Sequence, residues 1–204
     1  INKKNKNGLD SILLEVGGWR DIGPFRGGRS TTATGITDND QIYYMGTTGG
    51  GLWKTYDAGL SWKNVSDGFF ATGSVGAVSV SESNNNIVVV GMGESPVRGV
   101  MTSSGDGVYK SVDAGETWEH IGLDGTKHIS QVRIHPDNPD VMYVSAQGSP
   151  YVDTQDRGVY RTIDGGKNWK KVLFVDASSG AIDLAMDYTN PRILYAAFWD
   201  HQRL

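Results

Sequence analysis

The 204-residue chain contains no cysteine, which excludes disulfides and thiolate metal sites and fits either the cytosol or an exported bacterial protein. No apolar run approaches the ~20 residues of a membrane span, so no transmembrane segment is expected. Basic residues do not cluster. With 19 Lys and Arg against 23 Asp and Glu, the net charge is −4, and a mixed-sign surface of this kind carries no nucleic-acid footprint. His120, His128, His135 and His201 stand apart without a paired ligand spacing, so neither a metal site nor a cofactor is expected. Proline is scarce, at 6 residues, and charged residues make up 21%, which argues against low complexity. Glycine is abundant: its 28 residues are about twice the usual ~7% and point to many tight turns.

One octapeptide recurs. Thr55-Tyr56-Asp57-Ala58-Gly59-Leu60-Ser61-Trp62, Ser111-Val112-Asp113-Ala114-Gly115-Glu116-Thr117-Trp118 and Thr162-Ile163-Asp164-Gly165-Gly166-Lys167-Asn168-Trp169 keep hydroxyl, Asp, Gly and Trp at the same offsets. The aspartates are 56 and 51 residues apart, a period that signals a repeat architecture. The chemistry is that of a hairpin turn: the carboxylate accepts backbone amides just after it, and Gly takes up positive φ. The structural set is therefore Asp57, Gly59, Trp62, Asp113, Gly115, Trp118, Asp164, Gly166 and Trp169. Acids repeated in every unit sit at equivalent places around a fold and cannot converge on one substrate.

Four short strands surround each motif. Unit one runs through Arg29 to Ile36, Gln41 to Thr47, Leu52 to Thr55 and Trp62 to Val65; units two and three repeat it, and a fourth begins with Ala181 to Met186 and Ile193 to Phe198. No segment carries a helical period, so the expected fold is all-β, a partial β-propeller of four-stranded antiparallel blades with about three and a half present. Residues 1–18 are expected to form a tail and lead-in. Residues 19–204 form the propeller segment, with blades at approximately 29–65, 76–121, 130–173 and 181–204, the last incomplete. The start at Ile1, without Met or a signal-type apolar region, reads as a processed or trimmed N-terminus. Propellers generally use ~4 to 8 blades, so the ring requires further blades from the same protein or a partner chain.

Together with Gly-Gly-Leu-Trp-Lys-Thr at 50–55, Gly-Val-Tyr-Lys-Ser at 107–111 and Gly-Val-Tyr-Arg-Thr at 158–162, these motifs resemble the Asp-box (BNR) repeats of sialidases and sortilin-type propellers. The chain most resembles bacterial exported proteins of the sortilin-like and BNR-repeat glycosyl hydrolase-like kind. The resemblance implies divided activities: sialidases and xyloglucan-cleaving relatives hydrolyse glycans, sortilin-type propellers bind peptides, and a photosystem-assembly relative binds protein and pigment. Xyloglucan-cleaving relatives place a catalytic Asp near the first Gly-rich strand turn, whereas Thr47-Thr48-Gly49-Gly50-Gly51 holds no acid. Pro24-Phe25-Arg26-Gly27-Gly28-Arg29 only loosely matches the Arg-containing stretch of sialidases and lacks the Ile-Pro that should follow.

With strands lettered A to D from the axis outward, the Asp motif joins C to D. The B-to-C loops therefore lie on the opposite face, and loops at one end of a rigid scaffold are where binding residues concentrate. These loops carry Arg98, Gln147, Tyr151, Asp153, Trp199, His201 and Arg203 as candidate binding residues, and Glu94 and Asp200 as a candidate glycosidase carboxylate pair. For those two acids the alternative is that Glu94 caps a loop and Asp200 pairs with a neighbouring Arg. Trp53, Tyr109 and Tyr160 occupy equivalent C-strand positions and read as interblade packing. Asn64-Val65-Ser66 fits a glycosylation sequon on an outer strand and is given no role. The expected function is an extracytoplasmic scaffold that binds a protein, peptide or glycan, secreted or in the cell envelope (periplasmic or outer-membrane associated). The alternative is a glycoside hydrolase.

Overall fold

The computed structural model describes residues 28–96 and 101–202. Three four-stranded antiparallel sheets follow one another in the chain. The first comprises β1 (Ser30–Ile36), β2 (Asn39–Thr47), β3 (Leu52–Thr55) and β4 (Lys63–Asn64). The second holds β5 (Val75–Val80), β6 (Val88–Met92), β7 (Val108–Ser111) and β8 (Glu119–His120), and the third β9 (Ile129–Ile134), β10 (Met142–Ala146), β11 (Gly158–Thr162) and β12 (Lys170–Leu173). A two-stranded sheet, β13 (Ser179–Met186) and β14 (Leu194–Asp200), completes the described residues. Within each sheet spatial order equals chain order, the meander of a propeller blade. The innermost strands β1, β5, β9 and β13 stand side by side, so the chain is a partial β-propeller.

Composition explains which strands are central. Strand β6, Val-Val-Val-Gly-Met, is buried throughout, and a short β-branched run bounded by turns is what a strand covered on both faces requires. The core lies between blades. Tyr44, Leu52 and Val65 of the first blade meet Val78, Val90 and Tyr109 of the second. Val89 and Val108 then meet Ile129, Val132 and Met142 of the third, and Val159 packs on Ala181 and Leu184.

The outer strands are shorter than the sequence suggests, and in the second and third blades the Trp after the Asp turn leaves the ladder to pack on the preceding blade. Trp118 Nε1 donates to Val65 O at 2.8 Å and Trp169 Nε1 to Ile121 O at 2.7 Å. A 3-10 turn, Asp124–Thr126, lies in the connection from β8 to β9; nothing in the local pattern announces it.

Backbone approach between blades is close at Gly76, where an added Cβ would run into the carbonyls of Ile129 and Gly93. Backbone of the next blade cannot yield cheaply, so Gly76→Ala is expected to destabilise the chain by roughly 2 kcal/mol in denaturant unfolding. A variant as stable as the parent would show that these blades do not approach so closely.

Candidate functional site

The two ends of the blades differ in chemistry. At one end each Asp turn rests on its own A-to-B turn: Ala58 N donates to Gln41 O, Ala114 N to Asn86 O and Gly165 N to Asp140 O, at 2.9, 2.8 and 3.0 Å. Within the turns Asp57 Oδ1 accepts Ser61 N at 2.8 Å, Asp113 Oδ1 accepts Thr117 N at 2.8 Å and Asp164 Oδ1 accepts Asn168 N at 2.9 Å. The preceding hydroxyls of Thr55, Ser111 and Thr162 bond the same carboxylates. Bonds from the Ser61, Thr117 and Asn168 side chains come first among the causes that lower the three carboxyls to about 2. Every donor that reaches them belongs to the same turn, so this end has the chemistry of a staple.

The other end carries the B-to-C loops, stitched to the start of the following blade by backbone bonds. Gly51 N donates to Gly73 O, Gly93 N to Ser74 O, Gly105 N to Lys127 O and Gln147 N to His128 O, all between 2.6 and 2.8 Å. Thr102 N donates to the Tyr151 phenol oxygen at 2.9 Å, which joins the loops of the second and third blades. The phenols of Tyr109 and Tyr160 donate to Asp106 Oδ2 and to the Asp156 carbonyl. With Trp53 they are buried.

Behind this face lies a polar layer. Glu94 is fully buried and forms an ion pair with Arg29 at the entry to β1; its N–H donates to the Ser103 carbonyl at 2.9 Å and its Oε2 accepts Ser103 N at 3.3 Å, across its own loop. His128 is also buried. Its Nδ1 faces the Glu94 carbonyl at 3.1 Å and must carry the proton, while Nε2 faces Ser104 Oγ at 3.5 Å. Burial, with a smaller contribution from Lys127, pushes the imidazole down to about 4. Lys127 has φ 59° and ψ −49°, and His128 N donates to Thr126 O at 2.6 Å. That is a γ-turn, a strained form, and it immediately precedes the buried imidazole.

Arg157 organises the third loop. Its guanidinium, almost fully buried, bonds the carbonyls of Ser149 (2.7 Å), Val152 (3.3 Å), Ser178 and His201. One side chain thus ties the B-to-C loop of blade three to the connection into blade four and to the end of β14. Burial lowers its pKa, opposed by the charges of Asp153, Asp200 and Asp176. On the surface above it, Tyr151 is 41% and Trp199 44% exposed. The Trp199 ring stacks on His201 with centroids 4.4 Å apart.

The sequence candidates therefore fall into different environments. Tyr151, Asp153, Trp199 and Asp200 are exposed, Gln147 is buried in the stitching, and His201 is half-buried beneath Trp199. Glu94 and Asp200 differ sharply, one enclosed and ion-paired, the other open to solvent at the end of β14. Arg98 and Arg203 lie outside the described residues. Arg29 and His128 escape sequence reasoning as parts of this face, because their partners are remote in the chain. The Asn64 side chain is engaged, donating to Gly50 O at 3.0 Å and accepting from Ser66 N and Asp67 N. No group of three or more His, Asp or Glu able to hold a metal ion occurs among the described residues, and no helix among them is long and apolar enough to cross a membrane.

Comparison with known proteins agrees with this architecture. A xyloglucanase from Hypocrea jecorina is 25% identical over 193 residues, spanning 85% of this chain and 23% of the xyloglucanase. The crystal structure of an ancestral GH74 enzyme superposes with a TM-score of 0.65 at 19% identity, covering 85% of this chain and 22% of that one. The structure of YCF48 bound to D1 peptide gives a TM-score of 0.57 at 16% identity, covering 84% of this chain and 51% of that one. The chain thus spans about a quarter of the length of the xyloglucanase, and at these identities the structures establish the fold alone. The Sortilin-Vps10 family, described as sortilin, neurotensin receptor 3, matches residues 50–182. A β-propeller segment with this match over most of its length belongs to the Sortilin-Vps10 family.

Proposed function

We propose that the chain is part of an extracytoplasmic binding scaffold whose B-to-C loop face takes a peptide or glycan. The observation that carries this reading is the exposed Trp199, stacked on His201, beside a Tyr151 loop held by the same Arg157 guanidinium. Flat aromatic faces fixed on a rigid scaffold offer large contact area at little entropic cost. The family match to a receptor and the peptide carried by YCF48 support a recognition role. In this reading residues 19–204 are one propeller segment, completed by further blades of the same protein. The setting is secreted or cell-envelope, and the repeats are of the Asp-box kind. Among the candidates, Trp199, Tyr151, Asp153 and His201 would contact ligand, with Gln147 positioning the loop.

Similarity to a xyloglucanase favours a second reading, hydrolysis of a polysaccharide. Its weakness lies in the acids. A general acid needs a carboxyl held protonated, whereas hydrogen bonds hold Asp57, Asp113, Asp164, Asp176 and Asp187 below the usual carboxylate range. Glu94 is enclosed with Arg29 and has no surface open to a sugar.

Calorimetric titration of the protein with peptide and oligosaccharide panels tests the proposal. Trp199→Ala and Tyr151→Ala are each expected to weaken the ligand that binds by roughly tenfold. Unchanged affinity in both would remove this face from recognition, while oligosaccharide turnover abolished by Asp200→Asn would establish the hydrolase.

A further inference from the structure

We infer that the cleft between blades two and three, at the Asp-turn end and opposite the loop face, is a second binding site that takes a peptide segment through one aromatic side chain and a neighbouring carboxylate. It emerges from a comparison of two successive junctions, each with a complete four-stranded sheet on both sides. Between blades one and two the chain fills the wedge with its own rings. Lys54 of β3 is 4% exposed and donates to Ala114 O at 2.8 Å, in the Asp turn of blade two; the Tyr44 hydroxyl donates to the same carbonyl at 2.8 Å. The ammonium lies 5.2 Å from the Tyr44 ring centre and 4.5 Å from that of Tyr56, within the reach of a cation–π contact. The Tyr56 hydroxyl donates to Glu116 Oε1 at 3.1 Å, and Lys63 stands 3.6 Å from Glu116 Oε2. A ring, a cation against its face and an acid at its rim close this junction.

The junction between blades two and three keeps the cation and lacks the rings. Lys110 takes the place of Lys54 and makes the equivalent bond, to Gly165 O at 3.1 Å. Val89 stands where Tyr44 does, each opposite its lysine in the ladder, and Val112 stands where Tyr56 does. Lys110 is accordingly half-buried where Lys54 is buried, and Val112 is 65% exposed. The outer charges are reversed: Glu119 replaces Lys63 and Lys167 replaces Glu116. What the missing rings leave is a cleft of about 1130 Å³, lined among others by Lys110, Val112, Trp118, Ile163 and Lys167. The ligand that fits supplies what blade one supplies for itself, an aromatic face toward the Lys110 ammonium between Val112 and Ile163. Because a lysine now stands where Glu116 accepts the Tyr56 hydroxyl, the acid comes with the ligand and pairs with Lys167. Glu119 and Asp140 also border the cleft and repel a polyanion, so one carboxylate beside one ring is the match. The cleft is larger than a single ring, which suits a peptide of several residues.

The test titrates the whole nitrogen-15-labelled chain with acetyl-Gly-Tyr-Asp-Gly-amide and follows the backbone amide signals of Val112, Ile163 and Lys167. Saturable shifts are expected, with half-saturation near or below about 1 mM. Tyr replaced by Ala in the peptide, or Lys167→Glu in the chain, is expected to weaken binding about tenfold. Val112→Tyr, which restores the ring of blade one in place, is expected to abolish it. Val112 and Lys167 are both exposed, so neither substitution touches the core, and an unchanged urea midpoint for Lys167→Glu checks this. No shifts at about 10 mM peptide, equal binding by the Ala peptide, or binding that survives Val112→Tyr would each overturn the inference. The same shifts on concentrating the chain without peptide would make a second copy the occupant and overturn it too. Shifts confined to the Tyr151 and Trp199 region would move the peptide to the loop face, so failure here and failure of the proposed loop-face role are told apart in one spectrum.

Discussion

Replacing Arg157 by Met is expected to cost about 3 kcal/mol in urea unfolding and to release the face that carries Tyr151 and Trp199. The guanidinium serves the carbonyls of Ser149, Val152, Ser178 and His201, three segments with no other shared side-chain anchor among the described bonds. Hydrogen bonds to a charged donor contribute about 1.5–3 kcal/mol each, and a carbonyl left without its partner loses more when it cannot reach water. Some of these carbonyls sit near solvent and will rehydrate, which keeps the expected total well below the sum. Arg157→Lys should fall between Met and the parent, because an ammonium cannot span a planar array of acceptors. Hydrogen exchange at residues 149–152 and 199–202 should rise in both variants. If Arg157→Met unfolds at the parent's urea midpoint, the guanidinium is not what holds this face together.

Acidification should weaken the fold well before its aspartates are protonated. His128 is neutral in the folded protein with a pKa of about 4, against ~6.5 in an unfolded chain. A folded pKa below the unfolded one means that the unfolded state takes up the proton first as pH falls. Stability is thus complete above about pH 6.5 and is lost progressively down to about pH 4, by about 3 kcal/mol. The groups around the imidazole explain the direction. Lys127 adjoins it, the Glu94 carboxylate is engaged by Arg29, and the remaining contacts are the Glu94 carbonyl and Ser104. Below pH 4 a second loss begins, because the three turn aspartates are held at about 2 and their stabilisation fades as pH falls through that value. Unfolding followed at pH 7, 5 and 4 separates the two. In His128→Gln, which keeps a donor toward Glu94 O, the loss between pH 7 and 4 should largely vanish. A parent protein equally stable at pH 7 and 4 would place the imidazole in contact with water.

Much of the architecture was legible because it rests on local chemistry. A Ser or Thr two residues before Asp and a Gly two residues after it make the same turn wherever they occur, since the bonds to the hydroxyl and the carboxylate that shape the turn are made within the octapeptide. Strand order followed from the same spacing. The outer strands came out shorter than the pattern suggested, and in the second and third blades Trp118 and Trp169 satisfy their indoles on the preceding blade, partners that neighbouring residues cannot reveal. The loop face was legible only as a location. Glu94 stood out as an acid in a long loop, yet its environment is set by Arg29 from the preceding blade and by His128 from the next.

Local residue types were sufficient for repeat period, strand direction and turn position, because each depends on groups a few residues apart. Stacking of the blades decided the remainder: which acid is enclosed and which is exposed, that Arg157 gathers four carbonyls, and that Trp199 lies on His201. Burial and charge pairing are properties of surfaces brought together from distant parts of the chain, and the free energy of an ionised group depends on what those surfaces place around it.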